Sequence, residues 1–192
     1  MKARRSKLLV YFSALFIALS VAIYIINPFA VPSKDPRGRV FGLIPYRIPT
    51  VNMAPSILNG EFILVSTFSY LSNTPAINDV IVFIYPPDPT ISYVKRVIAR
   101  GGEKIKITSG KVYVNNELIE QPYLIEENAR NSYSQNMPEQ TIPEDSLFVL
   151  GDNRDNSKDS RVWGVVPIEN VIGKVTYIWY SDDYSRIGGL VH

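Results

Sequence analysis

The chain has 192 residues, enough for one domain with an anchor or a small cap, and 46% hydrophobic with 20% charged residues argues against disorder. It contains no cysteine, which excludes disulfides, thiol catalysis and thiolate metal sites; its single histidine is the terminal His192, so a Ser-His-Asp triad has no base to use. The formal net charge of +2 is gathered at the start, where Lys2, Arg4, Arg5 and Lys7 precede the first acid, and nothing suggests a nucleic-acid surface.

Leu8 to Ile26 follow as 19 residues without a charge, Gly or Pro. At 1.5 Å per residue they make roughly 28 Å of helix, against a hydrocarbon core of about 30 Å. This predicts a single-pass anchor over residues 8–26 in the cytoplasmic membrane. Residues 1–7 are then cytoplasmic and the rest is extracytoplasmic, because flanking basic residues stay inside. The rival reading is a cleaved signal peptide, but its apolar region is normally about 7–15 residues, and Phe29-Ala30-Val31 is a weak cleavage site. A buried soluble helix is disfavoured, since no face of the run is polar.

Residues 27–47 are Pro-rich and read as an extended stem. From residue 48 the pattern is strand-like. Phe62–Ser66, Val80–Tyr85 and Tyr93–Ile98 are short β-rich runs bounded by turn residues. Lys104–Thr108 and Lys111–Val114 flank Ser109-Gly110 as a hairpin, and Leu147–Leu150 and Val171–Trp179 complete the set. Residues 120–145 are polar and read as an excursion from the core. The expected architecture is mainly β, a small barrel or sandwich of coiled strands.

Three segments carry chemistry. The first runs from Ile48 through Thr50, Asn52, Met53, Pro55 and Ser56 to Ile57. The second is Tyr93-Val-Lys-Arg-Val-Ile98. On a strand, Lys95 and Arg96 point to opposite faces, so one of them faces the core. An inward Lys95 loses solvation, which lowers its pKa and lets it act as a general base; the alternative is a lysine snorkelling at an edge. The third, Gly151 to Gly164, packs three Asp, three basic residues, two Asn and two Ser between a hydrophobic strand and a Trp. It is either a solvated surface loop or a rigid structure braced by its own Asp–Arg pairs. Its spacing lacks the closing Glu of a calcium loop, so neither metal nor cofactor is expected.

In this order and spacing the segments resemble the type I signal peptidases along nearly the whole chain. That family's boxes read roughly Pro-Ser-x-Ser-Met-x-Pro-Thr-Leu, Tyr-x-Lys-Arg-Val and Gly-Asp-Asn-x-x-x-Ser-x-Asp-Ser-Arg, the last matched here from Gly151 to Arg161. The resemblance implies a mainly β, coiled-sheet or barrel-like domain over residues 48–192, lying against the outer membrane face. It implies cleavage of signal peptides from exported preproteins by a Ser/Lys dyad, with the lipid bilayer as the other partner. Position by position, Lys95 matches the general base, Thr50 the oxyanion hydroxyl and Ser157 the hydroxyl that orients the lysine. Asp152, Arg154, Asp159 and Arg161 match the bracing network, and Met53 and Pro55 the substrate-side turn.

One departure dominates. Asn52 stands where the nucleophilic serine belongs, immediately before Met53. A carboxamide cannot form the acyl-enzyme, which needs a hydroxyl activated by an adjacent base. The sequence therefore predicts a protein that is inactive or strongly impaired. The alternatives are an active peptidase using Thr50 or Ser56, and a pseudoenzyme that binds signal peptides.

Overall fold

The computed structural model describes residues 2–191, with side chains from Lys7 onward; His192 lies outside the described residues. The chain opens with α1 (Lys2–Ile26), whose Lys7–Ile26 stretch is long and apolar enough to cross a membrane and buries none of its residues in the domain. Arg39 ties the linker to the end of this helix, donating to the carbonyls of Tyr24 at 3.4 Å and Ser33 at 2.7 Å.

Strands numbered along the chain form two antiparallel sheets. The larger runs in the order β1 (Leu43–Arg47), β2 (Phe62–Ser66), β11 (Val171–Tyr180), β3 (Val80–Ile84), β4 (Ser92–Arg100), β9 (Ser146–Leu150) and β10 (Val166–Pro167). The smaller runs β7 (Glu117–Leu118), β6 (Lys111–Val114), β5 (Lys104–Thr108) and β8 (Met137–Thr141). Mainly β is the class the patterning predicts, and the β5–β6 hairpin turns at Ser109 and Gly110, both at positive φ (50° and 75°).

The patterning also explains the layering. In β2 only Ile63 and Val65 are buried, the period of a strand with one covered face. β3 reads Val-Ile-Val-Phe without alternation because both its faces are covered. Val80 and Val82 join Ile63, Met53 and Val175 in one cluster, while Ile81 and Phe83 join Val97 and Val149 in another. β4 is irregular between Val97 and Ala99, and beyond that point Ile98 and Ala99 pack with Ile105, Ile107 and Val112 of the small sheet.

Two expectations are revised. The sheet reaches back into the expected stem: a π-helical turn, Arg37–Phe41, precedes β1, which pairs with β2. The polar 120–145 segment ends in β8, bonded to β5. Four of the five β8 side chains are exposed, so the strand rests on backbone pairing and leaves no apolar alternation to read.

Gly173 lies where β11 crosses closest to β2; a Cβ there would meet backbone, 2.8 Å from the Ser66 carbonyl carbon. Gly173→Ala should therefore destabilise the full chain by on the order of 1–3 kcal/mol, measured by denaturant unfolding in detergent.

Candidate active site

β4 carries two adjacent cations on opposite faces: Lys95 shares its side with Tyr93 and Val97, and Arg96 with Val94. Sequence reasoning places only one of them inside. Because β3 and β4 lie in mid-sheet with apolar clusters over both faces, Lys95 and Arg96 are each 0% exposed.

Arg96 is compensated. Its Nε and Nη2 donate to the Asp152 carboxylate at 2.9 and 2.7 Å, Nη1 donates to the Asn78 carbonyl at 2.9 Å, and Nη2 also reaches Ser56 Oγ at 3.2 Å. The guanidinium lies 3.8 Å from the Tyr123 ring centroid, and Asp152 is itself 0% exposed. Such a fork offsets the desolvation of both charges. Sequence reasoning assigns Arg96 no role, since its partners are distant along the chain and nothing local marks them.

Lys95 has no such partner. Its Nζ donates to the Val94 carbonyl at 2.8 Å and sits 5.4 Å from the Tyr93 ring centroid. Burial lowers its pKa from the ordinary 10.5 to about 8, with Asp159 and Asp152 opposing and Arg161 assisting.

The Gly151–Gly164 segment is the rigid alternative, not a solvated loop. Asp159 accepts from the Gly151 amide at 3.1 Å and from Arg161 Nε and Nη2, both at 2.8 Å. Arg161 also donates to the Arg154 carbonyl at 2.7 Å and to Ser134 Oγ at 3.0 Å. Arg154 is buried and turns its Nε to the Gly151 carbonyl at 3.0 Å. Ser160 Oγ accepts from the Val149 amide, seating α2 (Ser160–Trp163) against β9. Asp155 accepts from the amides of Arg130 and Asn131, which fastens the polar excursion to this segment.

Residues 50–57 form a bend and turn, so Thr50 and Asn52 do not share a strand face as a strand reading would have it. Thr50 is exposed and Asn52 half-buried. The Asn52 carbonyl accepts from the Asn153 amide at 3.1 Å, which brings the turn beside the Gly151 segment. Gly151 lines this junction: a Cβ on it would strike Ser157 Oγ and lie 2.6 Å from the Asn52 carbonyl oxygen. Ser157 Oγ is buried with no hydrogen-bond partner among the described residues. Met53, expected to shape a substrate-side turn, is 0% exposed and packs in the core with Ile57 and Ile63. Pro55 follows a cis peptide bond, and its carbonyl accepts from Arg186 at 3.3 Å.

The chain thus sets a buried lysine of lowered pKa in a mainly β domain, beside a rigid Asp/Arg/Ser loop and following a membrane-length helix. Residues 37–180 match the family model described as signal peptidase, peptidase S26, and the chain belongs to that family. Signal peptidase I of Pseudomonas fluorescens is 30% identical over 233 aligned positions, covering 93% of this chain and 76% of that protein. Signal peptidase I of Aquifex aeolicus (strain VF5) is 34% identical over 192 positions, covering 71% and 75% respectively. A solved signal peptidase I from Enterococcus faecalis V583 is 31% identical, with TM-score 0.49 over 54% of this chain and 98% of that one.

Two stability predictions follow from the contrast between the two cations. Asp152→Ala leaves Arg96 buried without its counter-charge and should cost on the order of 3–5 kcal/mol, read by denaturant unfolding. Lys95→Met should act in the opposite sense. The folded pKa of Lys95 lies below the unfolded one, so the unfolded chain binds the proton more tightly. The burial cost is thus fully present below about pH 8 and fades as the pH rises toward 10.5. Lys95→Met should stabilise the protein at pH 7 by up to roughly 3 kcal/mol, with the gain shrinking by pH 10. An equal gain at both pH values would show that Lys95 does not titrate in this window.

Proposed function

We propose that this protein is a membrane-anchored signal peptidase of the Ser/Lys type that lacks its nucleophile as written, because Asn52 occupies the serine's place. The observation that carries the reading is Lys95: fully buried, unpaired by any carboxylate, and lowered to about 8 by desolvation. A neutral amine there accepts the proton of an attacking hydroxyl, which no arginine does. In the serine form, the hydroxyl oxygen attacks the scissile carbonyl as Lys95 takes its proton and passes it to the departing amine; water, giving its proton to Lys95, then attacks the acyl-enzyme, and the proton returns to the serine oxygen as the acid is released. By the resemblance Thr50 takes the oxyanion role and Ser157 the orienting of the lysine, its buried Oγ making no hydrogen bond among the described residues and so being free to take it up; Asp152, Arg154, Asp159 and Arg161 brace the loop that carries Ser157. Met53 and Pro55 shape the substrate-side turn, with the Met53 side chain anchored in the core.

Asn52 stops this sequence at its first bond. Loss of the nucleophile in comparable hydrolases costs on the order of a million-fold in turnover. Neither substitute hydroxyl is well supported. Ser56 Oγ is engaged by Arg96 at 3.2 Å, on the β4 face opposite Lys95, and Thr50 is exposed while Lys95 is 0% exposed. The substrates are exported preproteins, presented to a domain on the extracytoplasmic side, with residues 1–7 inside by the charge of the N-terminus. A second reading is a signal-peptide-binding pseudoenzyme. Asn52 favours it, being only part-buried and so within reach of an extended peptide that its carboxamide could hydrogen-bond.

The test is cleavage of a model preprotein by four forms of the detergent-solubilised full chain: as written, Lys95→Ala, Asn52→Ser, and Asn52→Ser with Lys95→Ala. Activity is expected only in Asn52→Ser, and it should rise as the pH increases through about 8, because the lysine must be neutral to act. Cleavage by the chain as written, abolished by Lys95→Ala in that background, would overturn the disabled reading and point to Thr50. Cleavage by none of the forms would leave peptide binding as the function.

A further inference from the structure

One buried acid takes no part in the site described above. Glu61, at the entrance to β2, is 2% exposed. Its carboxylate accepts from the Leu58 amide at 2.7 Å, from Ser181 Oγ at 2.9 Å and from Arg186 Nε at 2.5 Å. Burial pushes its pKa up, but these donors outweigh that and hold it below the ordinary glutamate value, so the group stays ionised at neutral pH. Arg186 does more than neutralise it. The Arg186 Nη2 also donates to the carbonyls of Pro55 and Ser56, at 3.3 and 3.0 Å. From the other side, Arg96 holds Ser56 Oγ. Residues 55 and 56 are thus gripped between two guanidiniums, one on the strand of Lys95 and one from the C-terminal segment.

That segment is well seated. Gly188 donates to the Ile178 carbonyl at 2.7 Å, Ile178 donates back to Gly189 at 3.1 Å, and Val191 packs in the cluster that holds Met53 and Ile57. The turn itself has few bonds of its own, chiefly Ala54 to Val51 at 3.1 Å and Ile57 to Met53 at 2.9 Å. A planar fork that meets a carboxylate and two carbonyls supplies what the turn lacks, and a lysine cannot replace that geometry.

We propose that Arg186, seated on Glu61, is a positioning residue for the reactive turn: it fixes Pro55 and Ser56, and through them residue 52, in register with Lys95. The inference rests on the function proposed for the Lys95 site. It makes the C-terminal segment a determinant of turnover.

The experiment uses the full chain in detergent and has two arms. In the chain as written, amide hydrogen exchange at Ala54 and Ile57 should quicken on the order of tenfold in Arg186→Ala, while the amides of β3 stay unchanged. In the Asn52→Ser background, Arg186→Ala should lower kcat by about 10- to 100-fold with KM nearly unmoved, the cost of a displacement near 1 Å at the reacting group. The pH midpoint should stay where it was, Arg186→Lys should recover little, and added methylguanidinium should restore part of kcat. Unchanged exchange at Ala54 and Ile57 would overturn the clamp. Faster exchange with unchanged kcat would overturn its role in positioning. If Asn52→Ser itself does not cleave, the proposed function fails, and the exchange arm still decides whether Arg186 holds the turn.

Discussion

The guanidinium of Arg96 and the carboxylate of Asp152, both removed from water, meet in a two-point fork at 2.9 and 2.7 Å. Either charge alone in that position would cost several kcal/mol. Together, with the Asn78 carbonyl, the Ser56 hydroxyl and the Tyr123 ring around them, they are compensated on every side. The consequence is geometric as much as energetic. Five stretches far apart in the chain converge on this pair: β4, the turn at 51–57, the bend before β3, the start of the polar 120–145 segment with Tyr123, and the Gly151 segment. Asp152 then leads into a loop whose other fully buried acid, Asp159, is taken by Arg161 and by the Gly151 amide.

This distribution of partners isolates Lys95. Two carboxylates lie close enough to raise its pKa, yet each is already matched by an arginine, and burial remains the larger effect. Two adjacent cations on one strand thus have opposite fates. Arginine cannot give up its proton, so its burial demands a permanent counter-charge. Lysine can, so its burial without one shifts its proton equilibrium toward the physiological range. The same physics that stabilises one face of β4 leaves a base on the other.

Much of the fold was legible along the chain. The runs Phe62–Ser66, Lys104–Thr108 and Lys111–Val114 coincide with strands because each alternates or ends at a turn of defined chirality. β1 was hidden by Pro45 within a Pro-rich stretch, and β8 by the exposure of its side chains, which left pairing to the backbone. The first and third boxes stood out for their unusual residues, yet nothing in the first marked the Met53 side chain as part of the core, where it lies. Glu61 and Arg186, 125 positions apart, were invisible as a pair.

The amino-acid sequence by itself determined the membrane-length apolar helix, the mainly β class, and the family, because each rests on local pattern: an uninterrupted apolar run, period-two strands, and boxes of fixed spacing. It also placed an asparagine immediately before Met53, a fact of covalent chemistry that no folding changes. Tertiary structure alone decided which cation is paired and which is stranded, that both lie inside, and that the turn carrying Asn52 is held from the C-terminus. Those outcomes depend on which distant groups arrive within hydrogen-bond reach and on how completely water is expelled around them, and neither quantity is encoded at any one position of the chain.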